Sequence, residues 1–331
     1  MASVALSRSE LKAKLVSSPP ALLHALRLLL VAPTRGYIRY APWSAFKLAL
    51  WNKVASHLWF LESNVDARTK FGDSLRVDAT DIVGKYLYYF GLWEPCLTAW
   101  IRDRLKPGDT FIDVGSNIGY FTTLASRLVG PSGKVVAIEA LPKIAKILAQ
   151  NMARTGRTNM RELNVAAWNQ YDSLTFFTRA DRPSGTTTCL PSWASHWDLT
   201  ESHKVPALPL QEVLTREEIA KARIVKIDVE GAEFQALQGM EAVFPHLRED
   251  VEFVIEVNFH GLEDQGLTRQ DFLSWFNKRG FHAYLMPNEY TVAPYLEKLE
   301  APVLQPFSVQ STAGMDQVDM VFSRRAPGAL S

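Results

Sequence analysis

Short apolar runs, bounded by charges and glycines, recur along this chain. Thr110–Val114, Lys134–Glu139, Arg161–Ala166, Arg223–Asp228 and Val251–Val257 each have the length and composition of a buried strand. Between the second and third, Leu141–Thr155 places Ile144, Ile147, Leu148 and Met152 on one helical face. Leu267–Arg279 reads as another helix, ended by Gly280. Two late strands are expected at Phe281–Leu285 and Gln317–Phe322. Repeated strand–helix units predict an α/β fold whose mostly parallel sheet is covered on both faces. The chain shows neither an internal repeat nor a low-complexity tract.

The N-terminal region is patterned differently. Ala21–Ala32 is apolar but interrupted by His24 and Arg27, and it falls short of the ~20 residues a transmembrane helix needs. It also lies deep for a signal peptide, while a transit segment before Pro19 is a further alternative. Phe46, Leu50, Val54 and Leu58 recur every four residues, with Trp51 and Trp59 nearby, as in an amphipathic helix. The reading preferred from sequence is that these helices pack on the following domain; the alternative is membrane-surface contact. A helical extension is therefore expected over residues 1–75, ahead of one large domain over 76–331.

Candidate chemistry concentrates in two segments. In Phe111–Thr122, an apolar strand carries the lone carboxylate Asp113 near its end and then turns through Gly115 and Gly119 into a helix. The next strand ends in Glu139, an acid placed for a ribose. A dinucleotide fingerprint would have glycine where Asn117 stands, so a pyrophosphate is disfavoured. A cofactor with an adenosine and no phosphates, such as S-adenosylmethionine, fits better, and its carboxylate can meet free N–H groups at the helix start. The plainer alternative is a tight turn without a ligand. In Arg223–Gly239, strand alternation puts Ile224, Lys226 and Asp228 on one face, followed by a turn at Glu230-Gly231. Three charges at a buried strand end must be paired or used, and a simple Lys226 ion pair is the modest reading.

Taken together, DVGSNIGYFT, the strand ending in IEA-x-P (Ile138–Pro142) and KIDVEGAE (Lys226–Glu233) closely resemble the FkbM-family methyltransferases. GLWEP (Gly91–Pro95), KPGDTFIDVG and NVAAW (Asn164–Trp168), with a hairpin expected to run on to Phe177, extend the resemblance over about residues 75 to 325. The resemblance implies a class I, Rossmann-like fold with a seven-stranded sheet, its last strands forming an antiparallel hairpin at the edge. It implies S-adenosylmethionine as cofactor and O-methylation as the usual reaction. Carried onto this chain, it implies cofactor contacts from Glu94, Asp113, Gly115, Ser116, Asn117, Gly119, Glu139, Ala140, Ala166 and Asp228.

An alcohol acceptor must lose a proton, which requires a base. Asp228, Glu230, Glu256 and His260 are the candidates, with Lys226 neutralising part of the acidic charge. The acids form no recognisable metal-ligand pattern, so no metal is expected. Between the third and fourth strands, SGTTT (Ser184–Thr188) and WASHW (Trp193–Trp197) belong to a long insert. It leaves the sheet on the ligand-binding side and is expected to form part of the acceptor pocket. An N- or protein-directed methyltransferase and a non-catalytic binding module are the rival functions.

Composition narrows the partners. Lys and Arg number 36 against 35 Asp and Glu, which argues against a nucleic-acid footprint. Cys96 and Cys189 suggest neither a zinc site nor a disulfide framework. The expected acceptor is a small molecule, sugar or lipid, in a cytoplasmic setting.

Overall fold

Pro33 sits in the first turn of α1 (Ala32–Tyr40), where its missing N–H is not needed. Pro42 then holds Ala41 extended, which ends α1 before α2 (Ser44–Leu50) can begin. A π-turn flanks each helix, at Arg27–Val31 and Trp51–Ala55. The computed structural model describes residues 27–55, 64–179, 182–196, 198–288, 291–312 and 314–326. Leu58, Trp59 and Trp197 lie outside them. The chain divides into two units, Met1–Trp93 with Thr291–Lys298, and Glu94–Tyr290 with Leu299–Ser331.

In the first unit an antiparallel hairpin, β1 (Val65–Arg68) and β2 (Ser74–Val77), precedes α3 (Ile82–Phe90). Trp51 packs against Tyr86, Tyr89 and Phe90 of α3, and Tyr295 joins the same aromatic cluster. Of the predicted stripe, Phe46 is exposed and Leu50 half-buried, and it is the neighbouring Trp51 that is buried. Among the described residues, no helix is long and apolar enough to cross a membrane.

The second unit opens with α4 (Pro95–Arg104) and β3 (Thr110–Val114), then α5 (Tyr120–Val129), β4 (Lys134–Ile138), α6 (Pro142–Arg154) and β5 (Met160–Leu163). The insert follows as β6 (Ala166–Ala167), β7 (Asp172–Arg179), β8 (Arg182–Thr188), α7 (Pro191–His196) and β9 (Thr200–Leu208). Two short helices lead into β10 (Ala222–Ile227). After it come α8 (Glu233–Gln238), β11 (Glu252–Asn258), α9 (Phe259–Asp264), α10 (Arg269–Asn277), β12 (His282–Leu285), β13 (Gln305–Pro306) and β14 (Gln317–Ser323).

The main sheet runs β13-β12-β14-β11-β10-β3-β4-β5. The five strands from β5 to β11 pair in parallel, as expected of an α/β class I fold. Four of them, β3, β4, β10 and β11, are mostly apolar on both faces because helices cover both sides, while β5 (MREL) is half-buried. Phe276 of α10 stacks on Phe322 of β14 at 3.8 Å, and Phe244 stacks on Phe253 of β11 at 5.2 Å, anchoring one side of the core.

Two expectations need correction. The third strand ends at Leu163, and Ala166–Ala167 pairs with β9 in a separate four-stranded sheet. The expected hairpin from Ala166 to Phe177 does not form, since β9 lies between β6 and β7. The late strands do pair antiparallel at one end of the sheet, β12 with β14, and β14 lies between β11 and β12 with its seven residues almost wholly buried. The two-residue β13 adds an eighth strand at the edge.

Candidate active site

Parallel pairing of β3 with β10 sets Asp113 directly beside Lys226. Both are buried, at 1% and 4% exposure. Beyond Val114 the chain turns at Gly115, whose φ is 78°. A Cβ there would lie 1.7 Å from the Asp228 carbonyl oxygen, so the glycine is required by the approach of β10 itself. At Gly119, with φ 89°, a Cβ would lie 2.6 Å from the Leu148 Cδ1 of α6. Sequence reasoning gave these glycines a tight turn and room for a ligand; the turn holds at both, and at Gly115 the neighbouring backbone already excludes a Cβ.

The acid closing β4 is held by the backbone. Glu139 Oε2 accepts from Asn117 N–H and Oε1 from Leu141 N–H, each at 2.9 Å. Burial pushes this carboxyl up to about 7 despite those bonds. Asn117 stands in the left-handed region at φ 49°, where Asn is tolerated, and its Oδ1 accepts from Ile118 N–H. Ser116 is buried and its Oγ has no hydrogen-bond partner. Asp113 Oδ2 accepts from Thr122 Oγ1 at 2.6 Å, whereas its Oδ1 has no partner.

Around Lys226 gathers a set of carboxylates. Its Nζ donates to Asp228 Oδ2 at 2.7 Å. Burial would lower this ammonium's pKa, but Asp228, Asp113 and Glu94 outweigh it and hold it above its ordinary value. Glu94, at the N-cap of α4, is buried with φ 40°, and burial together with Asp319 drives its carboxyl well above the usual range. Glu256 on β11 lies opposite Asp319 on β14, and burial with the charges of Asp228 and Asp319 raises it likewise. Burial, then Asp228, pushes Glu230 up to about 8. One oxygen each from Asp228, Glu230 and Glu256 lie within 4.8 Å of one another, a spacing that could hold a cation. The acids therefore converge in space although their sequence spacing carries no ligand pattern.

The turn after β10 is tied from several directions. Glu230 has φ 57°, and its carbonyl accepts from Thr188 Oγ1 of the insert at 2.9 Å. Glu233 Oε1 accepts from Gly231 N–H at 2.8 Å. A Cβ on Gly231 would lie 2.9 Å from Leu190 Cδ1, and one on Gly261 would lie 2.5 Å from the Gly231 carbonyl oxygen. Ser192 donates to Asp264, tying the insert to α9 as well. The insert thus packs on the carboxyl end of β10, the side expected for it.

Other candidates are placed less centrally. Ala140 contributes its carbonyl to Asn164 Nδ2, which also holds the Glu139 carbonyl, both at 2.8 Å. Ala166 is buried within β6, opposite Ala207. His260 lies in α9 rather than in a loop; its exposed ring sits 3.5 Å from Glu263 and 3.4 Å from Asp316, with Trp193 at 6.5 Å. Sequence reasoning missed Asp319, whose carboxylate accepts from Asn288 Nδ2 at 2.9 Å, and the clamping roles of Asn164 and Thr188. Asp319 had a signal, a lone acid inside an apolar strand, as at Asp113.

The family model for the methyltransferase FkbM domain matches residues 113–283, a narrower span than the motifs suggested. The chain is 30% identical over 100 residues to a protein-L-isoaspartate O-methyltransferase of Aeropyrum pernix, covering 30% of this chain and 34% of that protein. It is 38% identical over 55 residues to the protein of that name from Triticum aestivum, covering 17% and 24%. The chain thus spans about a third or less of the length of these curated relatives. Among solved structures, an rRNA methylase from Streptococcus thermophilus is similar at TM-score 0.40 and 10% identity, covering 70% of this chain and 95% of that one. A precorrin-6y C5,15-methyltransferase from Geobacter metallireducens is similar at TM-score 0.38 and 12% identity, covering 70% and 87%. With the match spanning Asp113, Glu139, Lys226, Asp228 and Glu230, this chain belongs to the FkbM methyltransferase family.

Proposed function

We propose that the protein transfers a methyl group from S-adenosylmethionine to a hydroxyl on a small molecule, sugar or lipid. The observation that carries this reading is the meeting of Asp228, Glu230 and Glu256 beside the turn that follows β3. S-adenosylmethionine, when bound, supplies a methyl group already activated on a sulfonium. The residues present suit it. Each Glu139 oxygen accepts one backbone N–H and keeps a lone pair for a ribose hydroxyl. Ser116 Oγ and Asp113 Oδ1 are buried polar atoms that a polar ligand would satisfy. Carboxylates outnumber the single Lys226 ammonium, which favours a cationic guest.

The chain's own chemistry is then positioning and proton transfer. Glu230 accepts the proton of the acceptor hydroxyl as that oxygen takes the methyl group. With its affinity for protons raised to about 8, it can both take a proton and release it to water near neutral pH. Asp228, held by Lys226, positions the cofactor, and Glu256 shares the acidic field. His260 is the reserve base. The insert, tied to Glu230 through Thr188, forms one wall of the acceptor pocket. Asp113, Gly115, Ser116, Asn117, Gly119, Ala140, Ala166 and Glu94 complete the proposed cofactor site. In this reading residues 76–331 carry catalysis, residues 1–75 extend them, and the setting is the cytoplasm.

A second reading adds a divalent ion on the three carboxylates, favoured by their 4.8 Å convergence. Chelation separates the two readings, since metal-free catalysis survives it. The decisive experiment is calorimetry with S-adenosylmethionine, followed by a labelled-methyl screen of metabolites, glycans, lipids, proteins and RNA. Absence of cofactor binding would overturn the proposal, and labelling confined to proteins or RNA would overturn the acceptor class.

A further inference from the structure

We infer that the helical segment 27–55 docks on the surface of a bilayer containing anionic lipid. Three observations carry this. Leu29, Leu30, Tyr40, Trp43, Phe46 and Leu48 all stand exposed, Tyr40 at 77% and Trp43 at 68%. Other large exposed apolar residues are scattered singly, as at Ile82, Tyr171 and Val303. These six are not the positions that hold the first unit together, because Val31, Ile38, Trp51 and Ala55 fill its interior.

The second observation is charge. From Leu11 to Leu61 the chain carries seven lysines and arginines and not one acid, within a protein whose totals balance at 36 against 35. The third is crowding between two of those cations and Lys70. Burial, and then the charges of Lys47 and Arg39, lower the pKa of Lys70, and burial also lowers that of Lys47. Like charges held this close, around exposed aromatic rings, are relieved by an anionic partner. Apolar side chains flanked by Trp, Tyr and cations match the layering of a bilayer surface, with acyl chains beneath phosphate headgroups. No helix among the described residues is long and apolar enough to cross a membrane, and the contact inferred is with the bilayer surface. The exposure of Phe46 and Trp43 turns the preference drawn from sequence towards the membrane surface.

The test uses the full chain and co-sedimentation with phosphatidylcholine vesicles, with and without about 30% phosphatidylserine. Binding is expected only with phosphatidylserine, weakening as salt is raised. Trp43→Ser with Phe46→Ser, and separately Lys47→Glu with Lys53→Glu, should each reduce binding by about tenfold or more. Because Trp43 and Phe46 are mostly exposed, Phe46 keeping an edge contact with Tyr37 at 5.1 Å, the melting temperature of that variant should stay close to the wild type and show that a loss is not unfolding. Equal binding to both vesicle types, or binding to neither, overturns the inference. So does self-association of the wild type that the Trp43/Phe46 variant abolishes without vesicles, which would make the face a contact between copies of this chain.

Discussion

Lys226→Met offers the sharpest test of the site, because one ammonium serves several buried acids. The wild-type Nζ sits 2.7 Å from Asp228 Oδ2 and is held above its ordinary pKa by Asp228, Asp113 and Glu94. A lysine raised in this way contributes its full stabilisation below its unfolded value, about 10.4, and loses it only as pH climbs through the folded value. Methionine keeps the length of the side chain and its contact with Phe121, whose ring lies 5.3 Å from Nζ, but removes the charge. Breaking a buried pair from one side costs about 3 kcal/mol, and at about 2–4 °C per kcal/mol the melting temperature should fall by about 6–12 °C near pH 8. The stranded acids can respond only by keeping protons. A carboxyl whose folded pKa is raised binds a proton that the unfolded chain releases, so its contribution to stability falls as pH rises from the unfolded value through the raised one. The wild type already has this slope, with Asp319 near 6, Glu139 and Glu233 near 7 and Glu230 near 8. In Lys226→Met it should steepen, so the penalty should shrink towards pH 5.5 (about half a unit below the Asp319 value). Thermal unfolding followed by circular dichroism at both pH values measures this. An equal penalty at both, or none at either, would mean that Lys226 does not compensate these acids.

The other expectations are simpler to state. Glu139→Ala should weaken S-adenosylmethionine binding by about 2 kcal/mol, roughly thirtyfold by calorimetry; an unchanged affinity would remove Glu139 from the cofactor site. Wild-type affinity should also fall as pH drops from about 8 to about 6, because the carboxyl near 7 must be ionised to accept from both hydroxyls. Glu230→Gln should keep cofactor affinity and cut single-turnover methyl transfer by about 100-fold, and full turnover would move the base to Glu256 or His260. Gly115→Ala should unfold the site rather than merely crowd a ligand, since its Cβ would strike the Asp228 carbonyl; a wild-type melting temperature would contradict that geometry. Thr188→Val should lower kcat more than it changes cofactor affinity if the Glu230 backbone depends on that hydroxyl, a split visible in steady-state kinetics.

Much of this was legible in the chain because local and global preferences agree. Four of the five parallel strands, β3, β4, β10 and β11, are mostly apolar and buried, and such runs read as strands covered on both faces. Observed helix Pro142–Arg154 falls within the predicted Leu141–Thr155, since a proline opens it and its apolar face repeats helically. What depends on long-range pairing was not legible. Nothing local says that β9 parts Ala167 from Asp172, or that β14 enters the sheet's interior. The carboxylate cluster is hidden for the same reason, as Glu94, Asp228, Glu256 and Asp319 come from four elements that only the sheet assembles. The glycines show a different limit: their spacing is visible, but whether a ligand or a neighbouring strand excludes a Cβ requires coordinates.

The insertion of β14 between β11 and β12 also sets an order of assembly during translation. The ribosome delivers β11 and β12 well before Gln317–Ser323, and neither can find its final neighbour until those last residues emerge. Until then β11 presents an open hydrogen-bonding edge of seven mostly buried residues, the kind of edge that pairs with other chains. A premature stop upstream of Gln317 would therefore remove an interior strand and leave β12 and β13 without their link to β11. Such a chain would retain Asp113, Glu139 and Lys226, yet lose the seam on which β12 is stitched to the rest, making aggregation of the nascent product its natural fate.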